Sequence, residues 1–186
     1  CCVGCRVEGN TVRVAGTRAQ CGVAGIYAWS CDETLVQFNE ISGVQGYKNI
    51  DGMGYDSDFN CRNNLFQYNY SHDNAGGFMG VFAGGAGFTA ELGNVGNQGT
   101  IIRYNVSRND GRVSRAIVYH VAGGAKNAQI YNNTFFVGEG LDIRTFSESL
   151  SPEYHVRNNL FYVQGALSFS LPIQGTFSHN ALFGKI

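Results

Sequence analysis

A short segment with an apolar residue three places before an asparagine recurs seven times along the 186-residue chain. The residue two places before the asparagine is nearly always polar. Such period-two alternation is typical of a short strand with one buried face. The segments are residues 7–12, 36–41, 66–71, 102–107, 130–135, 156–161 and 177–182. Their asparagines lie 21 to 36 residues apart, and this spacing indicates stacked units rather than one globular core.

The shared asparagine gives the repeat a physical basis. Its amide can bond the same amide one unit above or below, and asparagine tolerates the left-handed backbone region. An antiparallel sandwich also has many short strands, but it does not require this repeated register, and no window carries a helical apolar stripe. We therefore predict an all-β fold, a single-stranded right-handed parallel β-helix of about seven coils. It forms one domain over residues 1–186, and we expect that domain to be incomplete at both ends.

Charge and hydropathy narrow the choice of partners. The formal net charge is -1, which argues against nucleic acid or an anionic membrane held by a basic face. No window approaches the roughly 20 apolar residues that span a bilayer, so we expect no membrane insertion. We also expect a monomer.

Each unit should carry a second strand whose outward residues line a groove. Candidates are residues 25–29, 47–51, 77–82, 116–121 and 141–145. Cys2, Cys31 and Cys61 lie at the same distance before the asparagine of their segments, so we expect them to stack about 4.8 Å apart. A column of free thiols and a disulfide both remain open, whereas a zinc site lacks a second pair of ligands.

The densest polar cluster lies in residues 51–58 and 70–77. The repeat places Asp56, Asp58, His72 and Asp73 within one or two coils of each other. Two carboxyl groups can act as the general acid and the base or nucleophile that glycoside cleavage needs, so we predict these four residues to be catalytic. No cofactor is required, although the same oxygens could hold Ca²⁺. Asp and Asn are also common in solenoid turns, where their side chains bond nearby backbone.

Further residues could contact a substrate along the groove. Asp110 and Arg115 follow the next segment at the phase of the acidic cluster, and His120 lies on a groove strand. Trp29 and Tyr119 could stack on the apolar faces of sugars. Each of these side chains could equally be structural, the aromatic ones as part of the core.

Residues 66–77, 102–111 and 129–134 resemble the pectate-lyase-like superfamily of right-handed β-helix proteins, especially its secreted bacterial members with β-helix repeats. The polygalacturonase signature Asn-Thr-Asp with Gly-His-Gly is absent, and so is the pectate lyase signature Arg-x-Pro-x-x-Arg. The resemblance implies an exported protein, whether secreted, periplasmic or on the cell surface. It also implies a polysaccharide or oligosaccharide as the partner.

The carboxylates and the resemblance together favour a glycoside hydrolase. Two alternatives remain open at this stage. One is a polysaccharide lyase of the same fold, and the other is a non-enzymatic adhesin that binds glycans.

Overall fold

The computed structural model describes residues 2–47, 51–83, 96–114, 116–119, 125–146, 153–169 and 174–184. Within these residues the chain forms 24 strands in four sheets, and every strand pairing among them is parallel. The same described residues contain no helix. The predicted all-β class with parallel strands is therefore confirmed.

The four sheets are named by the order in which the chain enters them. The first sheet contains β1 (Cys2–Val3), β5 (Cys31–Asp32), β9 (Cys61–Arg62) and β13 (Asn97–Gln98). The second contains β2 (Arg6–Glu8), β6 (Leu35–Gln37), β10 (Leu65–Gln67), β14 (Ile101–Arg103), β17 (Ala128–Tyr131), β20 (Glu153–Arg157) and β23 (Gln174–Ser178). The third contains β3 (Thr11–Arg13), β7 (Glu40–Ser42), β11 (Tyr70–His72), β15 (Val106–Arg108), β18 (Thr134–Val137), β21 (Leu160–Val163) and β24 (Ala181–Gly184). The fourth contains β4 (Ala24–Ala28), β8 (Met53–Ser57), β12 (Met79–Val81), β16 (Ala116–Tyr119), β19 (Asp142–Phe146) and β22 (Ala166–Ser168).

Successive passes of the chain add neighbouring strands to the same sheets. In the second sheet, Val36 of β6 pairs with Phe66 of β10, which pairs in turn with Ile102 of β14. All three side chains are buried, as the period-two pattern predicted. The sequence repeat therefore corresponds to strands in register between neighbouring passes.

The repeated segments themselves are bent. Residues 36–41 are not one strand, because β6 ends at Gln37 and β7 begins at Glu40 in another sheet. Phe38 makes this bend with a φ of 56°, and Tyr68 and Tyr104 make the equivalent bends with a φ of 55°. The left-handed residue is thus the one before the shared asparagine and not the asparagine itself.

These bends correct the predicted architecture. The single right-handed β-helix is wrong as stated, because the described strands belong to four separate parallel sheets. Each left-handed residue ends a strand after a few residues and redirects the chain, so one pass contributes short strands to different sheets. A period in the sequence gives the length of a pass but does not show where these corners lie.

The predicted asparagine ladder is confirmed. Oδ1 of Asn69 accepts hydrogen bonds from the backbone N (3.1 Å) and Nδ2 (3.0 Å) of Asn39. Its Nδ2 donates to Oδ1 of Asn105 at 3.0 Å and to the carbonyl of Val36 at 2.9 Å. The ladder joins Asn10, Asn39, Asn69, Asn105, Asn133, Asn159 and Asn180. It stabilises the bend by satisfying polar groups that the corner would otherwise bury unpaired.

The predicted second strands fall mainly in the fourth sheet, as β4, β12, β16 and β19. Most of residues 47–51 lies outside the described residues. The sequence missed β8, because its polar composition resembled a turn. The cysteine column is also present, since Cys2 pairs with Cys31 and their Sγ atoms lie 2.8 Å apart. The thiols of Cys2, Cys31 and Cys61 are free, and Cys61 is buried.

Candidate functional site

A cavity of about 590 Å³ opens beside the first strands of the fourth sheet. Its described lining combines carboxyl groups with aromatic rings. The lining residues are Cys21, Gly22, Val23, Ala24, Tyr27, Trp29, Asp51, Asp56, Asp58, Phe59 and Phe82. These residues come from three successive passes of the chain, so only the stacking of the passes assembles the cavity.

Strand β8 places the acidic side chains. Asp51 precedes the strand, Asp56 lies within it and Asp58 follows it directly. Asp56 pairs with Tyr27 of β4 on one side and with Gly80 of β12 on the other. The backbone N of Asp58 donates to the carbonyl of Ala28 at 2.8 Å, which continues the pairing of β4 with β8.

Asp51 reaches the cavity from a bend in the chain. Its φ is 56°, and its carboxyl group lies over Gly22, where any Cβ would overlap the carboxyl oxygens. Asp51 is partly buried, and this burial raises the pKa of its carboxyl above the ordinary value. The glycine therefore allows a carboxyl with an increased affinity for its proton to border the cavity.

Asp58 has a different environment. Burial raises the pKa of its carboxyl, and the negative charge of Asp51 raises it further. A hydrogen bond from the backbone N of Phe59 to Oδ1, 2.7 Å long, acts in the opposite direction by favouring the ionised form. Asp58 is thus the carboxyl of the pair with a fixed donor for its negative charge.

Asp56 is the most enclosed of the three acids. It is 4% exposed, and burial followed by the charges of Asp58 and Asp51 raises its pKa well above the ordinary value. Its Oδ1 is buried without a hydrogen-bond partner among the described residues. The charges of Asp51 and Asp58 therefore act on Asp56 and favour its neutral form.

Two of the four aromatic side chains in the lining are accessible. Tyr27 is 59% exposed and Trp29 is 48% exposed. The ring of Trp29 meets that of Phe59 edge to face at 6.3 Å, and Phe59 contacts Phe82 at 6.1 Å. Such rings present apolar faces of the size of a sugar ring beside the carboxyl groups.

The structure divides the acidic cluster predicted from the sequence. Asp56 and Asp58 border the cavity, but His72 and Asp73 are not among its described lining residues. His72 lies in β11 of the third sheet, where Nδ1 is 2.9 Å from Oδ2 of Asp73 and Nε2 is 3.5 Å from Oε1 of Glu40. The predicted convergence of all four residues is therefore corrected, because the third and fourth sheets present different surfaces.

The prediction that Asp110 contacts a substrate is also corrected. It is 2% exposed, and its Oδ1 accepts hydrogen bonds from the backbone N (3.2 Å) and Nδ2 (2.8 Å) of Asn74. Oδ2 accepts a bond of 2.8 Å from the hydroxyl of Ser107. These contacts fix it in the interior as part of a second ladder, in which Asn74 accepts from the backbone of Val44. This position does not fit the predicted contact with a substrate.

The other predicted binding residues have different outcomes. Trp29 borders the cavity, although a contact with substrate stays a prediction. Arg115 and His120 lie outside the described residues, and of Tyr119 only the backbone in β16 is described.

No group of three or more His, Cys, Asp or Glu side chains in the described part of the chain could hold a metal ion. That part also contains no helix long and apolar enough to cross a membrane.

Most of the lining residues were absent from the predicted site, among them Asp51, Phe59 and Phe82. Asp51 belongs to the acidic segment 51–58, but nothing in its spacing showed that it would face Gly22. Phe59 follows β8 and Phe82 follows β12, and nothing in the repeat pattern singled them out. The sequence signal for this site was the density of acidic residues around β8. Only the pairing of the strands shows that these acids lie beside the aromatic rings.

The four parallel sheets and the cavity define an all-β protein with a pocket bordered by carboxyl groups and aromatic rings. Comparison with known proteins gives particular relatives. The chain is 32% identical over 143 residues to lacto-N-biosidase of Bifidobacterium longum subsp. longum. The match covers 74% of this chain but only 8% of that protein, so the chain spans a small part of its curated relative.

A solved structure supports the fold alone. The crystal structure of the GH136 lacto-N-biosidase from Eubacterium ramulus matches with a TM-score of 0.50 and 22% identity. The alignment covers 86% of this chain and 19% of that chain. No family model matches the sequence.

These comparisons correct the resemblance drawn from the sequence. The assignment to the pectate-lyase-like superfamily is wrong, since the relatives found are lacto-N-biosidases, which are glycoside hydrolases. The short sequence segments around the asparagines resembled that superfamily because the hydrogen bonding of ladders and turns constrains which residues can occur there. Such segments carry no information about a reaction.

Proposed function

We propose that this chain forms part of the substrate cavity of a glycoside hydrolase, and that Asp51 and Asp58 are its catalytic carboxyl groups. The observation that carries the proposal is that acids and accessible aromatic rings border one cavity. The similarity to lacto-N-biosidase supports hydrolysis over elimination by a lyase. An oligosaccharide is accordingly the proposed substrate, and export from the cell stays a prediction.

The environments of the two carboxyls suggest different roles. Glycoside hydrolysis needs one protonated acid and one ionised carboxylate. Asp51 suits the acid, because burial raises its pKa. Asp58 suits the base or nucleophile, because the backbone N of Phe59 donates to its Oδ1 and opposes the rise that burial causes in its pKa. The sequence had predicted Asp56, Asp58, Asp73 and His72 in these roles, and of these His72 and Asp73 are not among the described lining residues.

The charge of the cavity favours an uncharged sugar. The described lining contains carboxyl groups but no Lys or Arg side chain. An acidic sugar would meet repulsion from the ionised Asp58 without a compensating cation. Uncharged sugars can stack on Tyr27 or Trp29 and hydrogen-bond the carboxyl groups.

Turnover of the p-nitrophenyl glycoside of lacto-N-biose, the disaccharide in the relative's name, tests this proposal. We expect Asp58→Asn and Asp51→Asn each to lower kcat by about 10²–10⁴-fold, the usual contribution of a positioned proton-transfer group. Asp142→Asn is the control, because Asp142 is an exposed carboxylate in β19 outside the cavity lining. Wild-type turnover in both cavity variants would refute the assignment. Binding of the disaccharide by a wild-type protein without turnover would favour a glycan-binding protein instead.

A further inference from the structure

Asp56 has no role in the proposed reaction, yet it occupies the centre of the site. It lies in β8 between Tyr27 and Gly80 of the neighbouring strands and borders the cavity. It is the least exposed of the three acids, at 4%. A carboxyl group in such a position is unusual unless something compensates its burial.

The protein supplies little of that compensation. Oδ1 of Asp56 is buried and has no hydrogen-bond partner among the described residues. Buried polar atoms in folded proteins are nearly always bonded, and an exception calls for a functional explanation. Here the carboxyl group also borders a cavity large enough for a sugar, so a ligand bound there can compensate the burial by bonding the other carboxyl oxygen, Oδ2.

The space around Asp56 depends on a glycine. A Cβ at Gly80 would lie 2.8 Å from Oδ1 of Asp56 and 3.0 Å from Cε of Met53. The first distance is too short for any real Cβ contact, so a larger residue would displace the carboxyl. Gly80 lies in a strand and has no left-handed φ, so this clearance is what its missing side chain provides.

The charge state of Asp56 follows from its surroundings. Burial and the nearby Asp58 and Asp51 all favour the neutral acid, which raises its pKa well above the ordinary value. A neutral carboxyl carries a proton that it can donate. It is therefore a hydrogen-bond donor in a lining whose other carboxyls act as acceptors when ionised.

We propose that Asp56 is a substrate-binding residue whose carboxyl group donates a hydrogen bond from the cavity wall to an uncharged oxygen of the bound sugar. This inference rests on the proposed function, because it assumes that the cavity holds a sugar. It assigns Asp56 to recognition and leaves proton transfer to Asp51 and Asp58. The acidic residues of the cavity thus divide between substrate binding and proton transfer.

Binding of lacto-N-biose, measured by calorimetry, separates these tasks. Asp56→Asn keeps the shape and a donor, so we expect its Kd to stay within about threefold of wild type. Asp56→Leu has a similar size but no donor, and we expect its Kd to rise about 10- to 100-fold. Asp142→Leu, in the same sheet, is the matched control and should bind as wild type does.

Gly80→Ala provides a second route if Asp56→Leu does not fold. This substitution keeps the carboxyl group of Asp56 but displaces it from its position, so we expect a similar loss of affinity. Circular dichroism and thermal unfolding would check the fold of each variant. A folded Asp56→Leu that binds as wild type does would overturn the proposal, and so would a Gly80→Ala with unchanged Kd.

Failure of this inference differs from failure of the proposed function. If Asp58→Asn retains turnover while Asp56→Leu loses affinity, the catalytic assignment fails and the role of Asp56 stands. If Asp58→Asn is inactive but Asp56→Leu binds normally, the opposite holds. A wild-type protein that binds no disaccharide would overturn both.

Discussion

Asp110→Asn should make the protein more stable at neutral pH. Asp110 occupies a ladder position that Asn74 fills in the preceding pass, and its Oδ1 accepts two hydrogen bonds from Asn74. Burial raises the pKa of Asp110 to about 6, although hydrogen bonds from Ser71, Ser107 and Asn74 act in the opposite direction. An asparagine at this position would keep an acceptor for Asn74 without a charge to bury.

The magnitude follows from the difference between the folded and unfolded pKa values. In the unfolded chain an aspartate has a pKa of about 3.9, so the folded protein holds this proton more tightly. Stability from Asp110 is therefore fully present below about pH 4 and is lost as the pH rises through about 6. This difference in pKa corresponds to a loss of roughly 3 kcal/mol in the free energy of unfolding at a pH above about 6. Because the protein relaxes around the charge, we expect the actual loss to be about 1–3 kcal/mol.

Urea unfolding between about pH 4 and pH 8 measures this effect. The variant should gain about 1–3 kcal/mol over wild type at pH 8, and the gain should vanish near pH 4. Asp142→Asn, at an exposed position, should change stability by less than about 0.5 kcal/mol throughout. Equal stability of Asp110→Asn and wild type at pH 8, or a gain that does not depend on pH, would refute the reasoning.

Two further predictions concern the asparagine ladder and the thiols. Asn69→Ala removes four side-chain hydrogen bonds at a buried corner and should lower the free energy of unfolding, measured in urea, by about 3–5 kcal/mol. The control Asn10→Ala, at an exposed position, should lower it by about 1 kcal/mol or less. Equal losses in the two variants would contradict the stabilising role of the ladder. Iodoacetamide should modify Cys21, which is exposed beside the cavity, and weaken disaccharide binding. Cys61 should react only after unfolding, because burial raises its pKa to about 11. Peptide mass spectrometry of the folded protein measures both modifications, and equal labelling of Cys21 and Cys61 would contradict this prediction.

The candidate site was only partly predictable. The sequence identified the acids around β8, because Asp56 and Asp58 stand close together in a chain with few charges. It grouped them with Asp73, since both segments flank the same asparagine. The corner at Tyr68 turns the chain between sheets, so closeness in sequence does not become closeness of side chains.

The sequence by itself determined the all-β class, the register of neighbouring passes and the asparagine ladder. Each of these depends on a pattern that recurs at every pass, such as the buried position shared by Val36, Phe66 and Ile102. Local alternation and amide bonding are enough to produce it. A repeat of this kind fixes which residues are neighbours along the stack.

Only the tertiary structure decided which surface each side chain faces. The direction of the chain changes at left-handed residues such as Phe38, which directly precedes a ladder asparagine, and Asp51, which lies outside the repeated segments. These corners carry Asp51 over Gly22, bring Phe59 to Trp29 and bury Asp110 inside a second ladder. The site therefore depends on backbone angles at a few corners, which no spacing along the chain can show.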